Sequence, residues 1–250
     1  VAKFDEPFWQ DIVLKAKPRS MLGRLRRMVE SQEQVVTVRL VDSLEEQQVL
    51  ENLLDDSKPG RTSGRKLDYL LSTPWRYPPL PWGSRFGRRF EPSLFYGSLS
   101  QKALLAEVAF YRWTFLFGMK KPFDGRVISQ HTEFEANYKG AMSFDLTRAP
   151  FPAYEDTLRD KSRYGPCQAL GSVLREKNAD LVVYRSARAD REELNIALYR
   201  PTALVSRKPL APVPWLCETT GDSVTFRGRD VVETLRIEGF LDQGKFPRPA

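Results

Sequence analysis

Between Ala103 and Tyr111 the chain is almost wholly apolar, and the one charged interruption is Glu107. An apolar run of this length predicts a buried helix, and Ser98 followed three residues later by Gln101 fits a capping box at its start. A second helix is expected upstream. Ser43 and Glu46 form another capping box, Leu44, Leu50, Leu53 and Leu54 recur at roughly helical spacing, and Lys58-Pro59-Gly60 stops the helix near Ser57. Strand patterns are shorter. Leu94–Tyr96 runs into Gly97, Met142–Leu146 alternates, and Leu181–Tyr184 and Asn195–Tyr199 flank a polar stretch, Ala189–Glu193, that closes a hairpin. Val224–Phe226 is a weaker strand, and Val35–Val41 fits strand or helix equally.

Helices and strands do not alternate regularly, so the pattern predicts an α+β fold and not a doubly wound parallel sheet. Punctuation divides the chain into a helical N-terminal extension over 1–65, a central domain over 66–205, and a C-terminal extension over 206–250 packed on it, Pro-rich at first. No internal repeat or low-complexity tract is visible. With 250 residues the chain is long enough to bury a sizeable core.

Charge narrows the ligand class. Lys plus Arg is 39 against 32 for Asp plus Glu, a net charge of +7 that favours anions without choosing between nucleic acid, nucleotide and phosphate. A single histidine, His131, excludes a multi-His metal site, and Cys167 and Cys217 are too far apart for a zinc or CxxC pattern, so no metal is expected. The two widely spaced cysteines, the polar start from Lys3 onward and the lack of a membrane-length apolar run predict a cytoplasmic protein with no membrane contact.

The densest chemistry lies between Ser72 and Ser98. Pro74 and Pro78 flank Arg76-Tyr77 and argue against helix there. Arg76, Arg85, Arg88 and Arg89 are interleaved with Tyr77, Phe86, Phe90 and Tyr96. Guanidinium forks match phosphate oxygens; the same composition also fits a surface loop whose arginines stack on rings. Glu107 has Ala103, Leu104, Phe110 and Tyr111 on its helix face. A carboxylate so placed is either a reacting group or half of an ion pair with an upstream arginine. Ser186 follows a strand with no base beside it in sequence, so hydrogen bonding by Ser186 and Asn195 fits better than nucleophilic attack. A hydroxyl that merely caps a turn is the other reading.

Taken together, Arg76-Tyr77, Phe86–Pro92, Leu94–Tyr96, Ala103–Glu107 and Tyr184–Arg188 resemble the RES domain, over roughly residues 68–201. The resemblance implies an ADP-ribosyltransferase-like α+β fold with short, largely antiparallel strands. It also implies a toxin of a toxin–antitoxin pair, acting in the cytoplasm, whose partner is an Xre-type helix-turn-helix antitoxin that contacts DNA. The implied activity is NAD degradation by phosphorolysis or hydrolysis of the nicotinamide–ribose bond. NAD is then substrate and not cofactor, inorganic phosphate is the co-substrate, and transfer of ADP-ribose to a protein is the alternative. Glu107, Arg76 and Ser186 carry over as the catalytic set. Arg89 joins Arg76 on the pyrophosphate, Tyr77 and Tyr96 line the nicotinamide pocket, and Ser186 and Asn195 hold ribose or phosphate oxygens. No GxGxxG fingerprint is present. A non-enzymatic nucleic-acid binder is the third reading, on the positive charge and the arginine–aromatic loop.

Overall fold

The computed structural model describes residues 4–31, 67–121 and 125–248, with scattered positions between 43 and 53. Its spine is a 19-residue strand, β3 (Val127–Asp145), on which Phe134, Ala136 and Tyr138 alternate onto a buried face. One edge of β3 carries β1 (Arg19–Glu30), antiparallel from Glu30 opposite His131 to Arg19 opposite Ser143. The other edge carries β6 (Leu210–Thr219) and then, at Ser143–Asp145, the parallel strand β4 (Leu181–Arg185). β4 pairs with β5 (Leu194–Leu198), β5 with β2 (Phe95–Ser98), and β2 returns to β1 through Arg26 opposite Ser98. These pairings close a ring, and β6, β7 (Ser223–Arg227) and β8 (Val232–Arg236) extend the sheet from it. The fold is α+β, with one mostly antiparallel eight-stranded sheet among the described residues.

Helices cover the sheet in three apolar clusters. α1 (Glu6–Leu14) and α5 (Gly165–Glu176), the latter preceded by the one-turn helix α4 (Glu155–Leu158), join Phe86, Leu94 and Tyr184 around Trp9, Leu170 and Leu174. α2 (Tyr69–Arg76) brings Leu71 and Trp75 against Phe95, Phe134 and Leu198. α3 (Gln101–Gly118) buries Phe110, Trp113 and Leu116 against Trp215, Phe226 and Phe240. Each such side chain contributes on the order of 1.5–3 kcal/mol on burial.

Several sequence expectations need correction. The helical extension over 1–65 contains, within its described part, a short helix and then the full-length strand β1. β1 is hard to read because its arginines are balanced across the sheet: Arg26 bridges Glu133 and Glu135 at 2.7 and 2.8 Å, and Arg24 meets Glu135 at 2.9 Å. The expected helix after Ser43 falls mostly outside the described residues. Those that are described, from Glu45 to Leu53, are helical, and the Glu46 amide donates to Ser43 Oγ at 3.1 Å. Val35–Val41 lies outside them. α2 is helical despite Pro74 and ends at Tyr77, whose extended backbone precedes Pro78. The cap of α3 is Ser100 and not Ser98, with Ser100 Oγ accepting from the Ala103 amide at 3.0 Å. The C-terminal Pro-rich stretch is strand β6. Pro212 and Pro214 are tolerated because β6 meets β7 only from Leu216 onward, leaving their side of the strand unpaired. The strands β6, β7 and β8 of this C-terminal part thus continue the same sheet.

Candidate active site

Ser100 caps α3, so Glu107 emerges two turns inside a helix pinned at its start. Its carboxylate lines a cleft of about 850 Å3. Glu107 Oε1 accepts from Ser186 Oγ at 2.8 Å and from Asn195 Nδ2 at 2.7 Å. Two donors on one oxygen fix the plane of the carboxylate, and Oε2 takes no hydrogen bond among the described residues. The ion pair considered for Glu107 does not form among them either.

The donors are themselves fixed. Asn195, in β5, stands opposite Ser98 of β2, and Ser98 Oγ donates to Asn195 Oδ1 at 2.8 Å, which turns the amide nitrogen toward Glu107. Ser186 follows the last residue of β4 and is fully buried. Its oxygen also accepts the amides of Arg188 and Ala189 at 3.1 and 3.2 Å. A hydroxyl offers one donor and two acceptor sites, so the bonding capacity of Ser186 is full. In this arrangement Ser186 holds Glu107 from behind and caps the turn that follows β4.

Arg85 and Arg27 are two of the cations that line the cleft. Arg85 sits in the tight turn between Ser84 and Gly87, with Nη1 donating to the carbonyls of Leu158 and Asp160 at 3.1 and 3.0 Å and the guanidinium 4.8 Å over the Tyr164 ring. Helix α5 grips that turn: Gln168 Nε2 donates to the Trp82 and Ser84 carbonyls, and Gly171 lies against the Phe86 carbonyl. Arg27, on β1, donates from Nη1 to the Tyr96 carbonyl at 2.5 Å and lies 4.8 Å over Phe95. Its buried Nε has no partner among the described residues. Burial lowers the Arg27 pKa to about 10, so it stays protonated at neutral pH. Tyr96 donates to Ser84 Oγ at 2.9 Å and accepts from the Phe86 amide at 3.0 Å, and burial pushes its phenol up to about 12. Burial first, then neighbours that include Glu107, also raises Tyr184 and Tyr111 well above their ordinary value. All three phenols are neutral at physiological pH.

Of the residues chosen from sequence, Glu107, Asn195, Tyr77 and Tyr96 line the cleft and Ser186 stands directly behind Glu107. Arg76 and Arg89 do not line it. α2 presents Thr73, Pro74 and Tyr77 to the cleft, and Arg76 is rotated off that face. Arg89 is exposed beyond the turn, next to Arg88, which pairs with Glu6 of α1 at 2.5 Å. Sequence reading missed Arg27, Tyr164 and Tyr184 as site residues. Arg85 was visible as one of four clustered arginines, but not as the one that turns inward.

Farther along the cleft, three buried polar groups converge. Arg112 donates to Glu30 Oε2 at 3.2 Å and to Thr219 Oγ1 at 3.4 Å. His131 and Ser129 share a 2.9 Å hydrogen bond on β3. Burial, and then the Arg112 charge, lowers the His131 pKa to about 4. Among the described residues no group of three or more His, Cys, Asp or Glu is placed to hold a metal ion, and no helix is long and apolar enough to cross a membrane. Both cysteines are buried free thiols.

The chain belongs to the RES domain family, whose model matches residues 58–217. A similar solved structure is the crystal structure of the M. tuberculosis MbcT–MbcA toxin–antitoxin complex, with 13% identity and a TM-score of 0.49 over 85% of this chain and 93% of that chain. No curated protein matches the chain.

Proposed function

We propose that the protein cleaves the nicotinamide–ribose bond of NAD, as the toxin of a toxin–antitoxin pair whose partner is an Xre-type antitoxin. The observation that carries this reading is the Glu107 carboxylate, held through Oε1 by Ser186 and Asn195 with Oε2 left free among the described residues, in a cleft that Arg27 and Arg85 also line. Membership in the RES family supports it.

The chemistry suits these groups. As the C1′–N bond breaks, its electron pair neutralises the pyridinium nitrogen, so the leaving nicotinamide needs no acid. Positive charge develops on the ribose, as in glycoside cleavage. Glu107 stabilises that charge across a site where buried tyrosines lower the local dielectric, or holds a ribose hydroxyl. Arg27 and Arg85 take the role assigned above to Arg76 and Arg89, binding the pyrophosphate or an attacking phosphate. A phosphate oxygen then bonds that same anomeric carbon, C1″ in the numbering of ADP-ribose, giving ADP-ribose 1″-phosphate; with water the product is ADP-ribose and the proton goes to solvent.

The test is incubation with labelled NAD, with and without phosphate. Nicotinamide release with a small phosphorylated product, faster with phosphate, supports phosphorolysis. Label on a protein supports ADP-ribosyl transfer instead. No nicotinamide release from the folded protein under either condition overturns the proposal.

A further inference from the structure

The cleft extends well past Glu107. Leu104, Glu107, Val108, Tyr111, Arg112 and Phe115 all line it, at the i, i+3, i+4, i+7, i+8 and i+11 positions of one stripe on α3. At 1.5 Å per residue, Phe115 lies about 12 Å along the helix axis from Glu107. That distance sets the far end beyond the ribose that reacts. Yet the far end is furnished. Phe115 is 57% exposed and gives the cleft an aromatic ring that Arg112 approaches. Ser129 and His131, 8% and 4% exposed and joined by their own hydrogen bond, line the cleft as well. Arg112, 8% exposed, stands 5.5 Å from the Phe115 ring, and Glu30 offsets its charge.

We infer that this far end is a subsite for a purine nucleoside, the adenosine half of the dinucleotide, an inference that rests on the NAD reading for its substrate. An open aromatic ring offers a stacking face for a flat heterocycle. A neutral imidazole and a hydroxyl supply donors and acceptors to an uncharged base or ribose, and the Arg112–Glu30 pair leaves little net charge for a further phosphate. The two ends divide the work: Glu107 meets the reacting ribose, and Phe115 sets how tightly the remote half is held, so that binding energy far from the bond positions it.

Calorimetric titration with AMP tests the subsite apart from turnover. Wild-type protein and Glu107→Gln are expected to bind AMP alike, and Phe115→Ala about ten-fold or more weakly, with Phe115→Trp restoring affinity. Because Phe115 is largely exposed, these variants leave the core intact. No AMP binding by the wild type, or equal binding by Phe115→Ala, overturns the subsite whatever happens to NAD. AMP binding that depends on Phe115 in a protein that leaves NAD untouched sinks the proposed reaction and keeps the subsite.

Discussion

Glu107 depends on three neutral side chains for its orientation: Ser186 and Asn195 directly, and Ser98 through Asn195. Asn195→Ala removes one donor to the carboxylate and strands the Ser98 hydroxyl. The carboxylate then swings about its remaining bond, and misplacement of about an ångström at a reacting centre costs on the order of 10²-fold. The expected result is a loss of that order in kcat for NAD cleavage with an unchanged circular-dichroism spectrum; wild-type turnover would remove Asn195 from the account. His131 gives a separate, activity-free test. Its pKa is near 4 when folded against 6.5 unperturbed. The unfolded chain therefore binds a proton in that window which the folded chain refuses, so this contribution is complete above about pH 6.5 and is lost as pH falls toward 4. The loss is up to about 3 kcal/mol. Urea unfolding near pH 7 and near pH 4.5 is expected to show a smaller decline for His131→Gln than for the wild type, and equal declines would place the histidine in a wetter setting.

Among the elements, α3 was legible because its signal is local: a long apolar run with one acid, which needs no knowledge of partners. The hairpin of β4 and β5 was legible for the same reason. β1 and β6 were not. The charges of β1 are satisfied by β3 more than a hundred residues away, and the prolines of β6 are permitted only by an unpaired edge that topology creates. Helix α5 also escaped notice, though it fixes which arginine enters the cleft. A Cβ on Gly171 would stand 2.0 Å from the Phe86 carbonyl oxygen, inside the turn that carries Arg85. Gly171→Ala must push helix and turn apart, at a cost of about 1–3 kcal/mol in stability. The expected outcome is a lower unfolding midpoint together with weakened NAD turnover; a variant as stable and active as the wild type would mean that the helix and turn move freely.

For the molecule as a whole, the boundaries drawn from sequence near 65 and 205 do not separate independent bodies. β1 and β6 lie on opposite edges of the same strand, β3. The C-terminal tail returns to the outer side of α3, where Phe246 stacks 5.2 Å from Phe110 and meets Phe117 at the same separation. Phe246→Ala is expected to destabilise the protein by on the order of 2 kcal/mol, less than a fully buried Phe because this ring is partly exposed, as read from the urea midpoint. An unchanged midpoint would detach the tail from the catalytic helix. The site itself was only half readable. Residue types along one helix and two strands pointed to Glu107, Tyr96 and Asn195, whereas Arg27 reaches the cleft only because β1 closes the ring. All of this converges on one carboxylate acting on one bond. The most direct measurement is nicotinamide released from NAD in the presence of phosphate by the wild type and by Glu107→Gln. Steady release by the wild type and a fall of on the order of 10²-fold or more in the folded variant are expected; equal rates, or no release by either, would contradict the account.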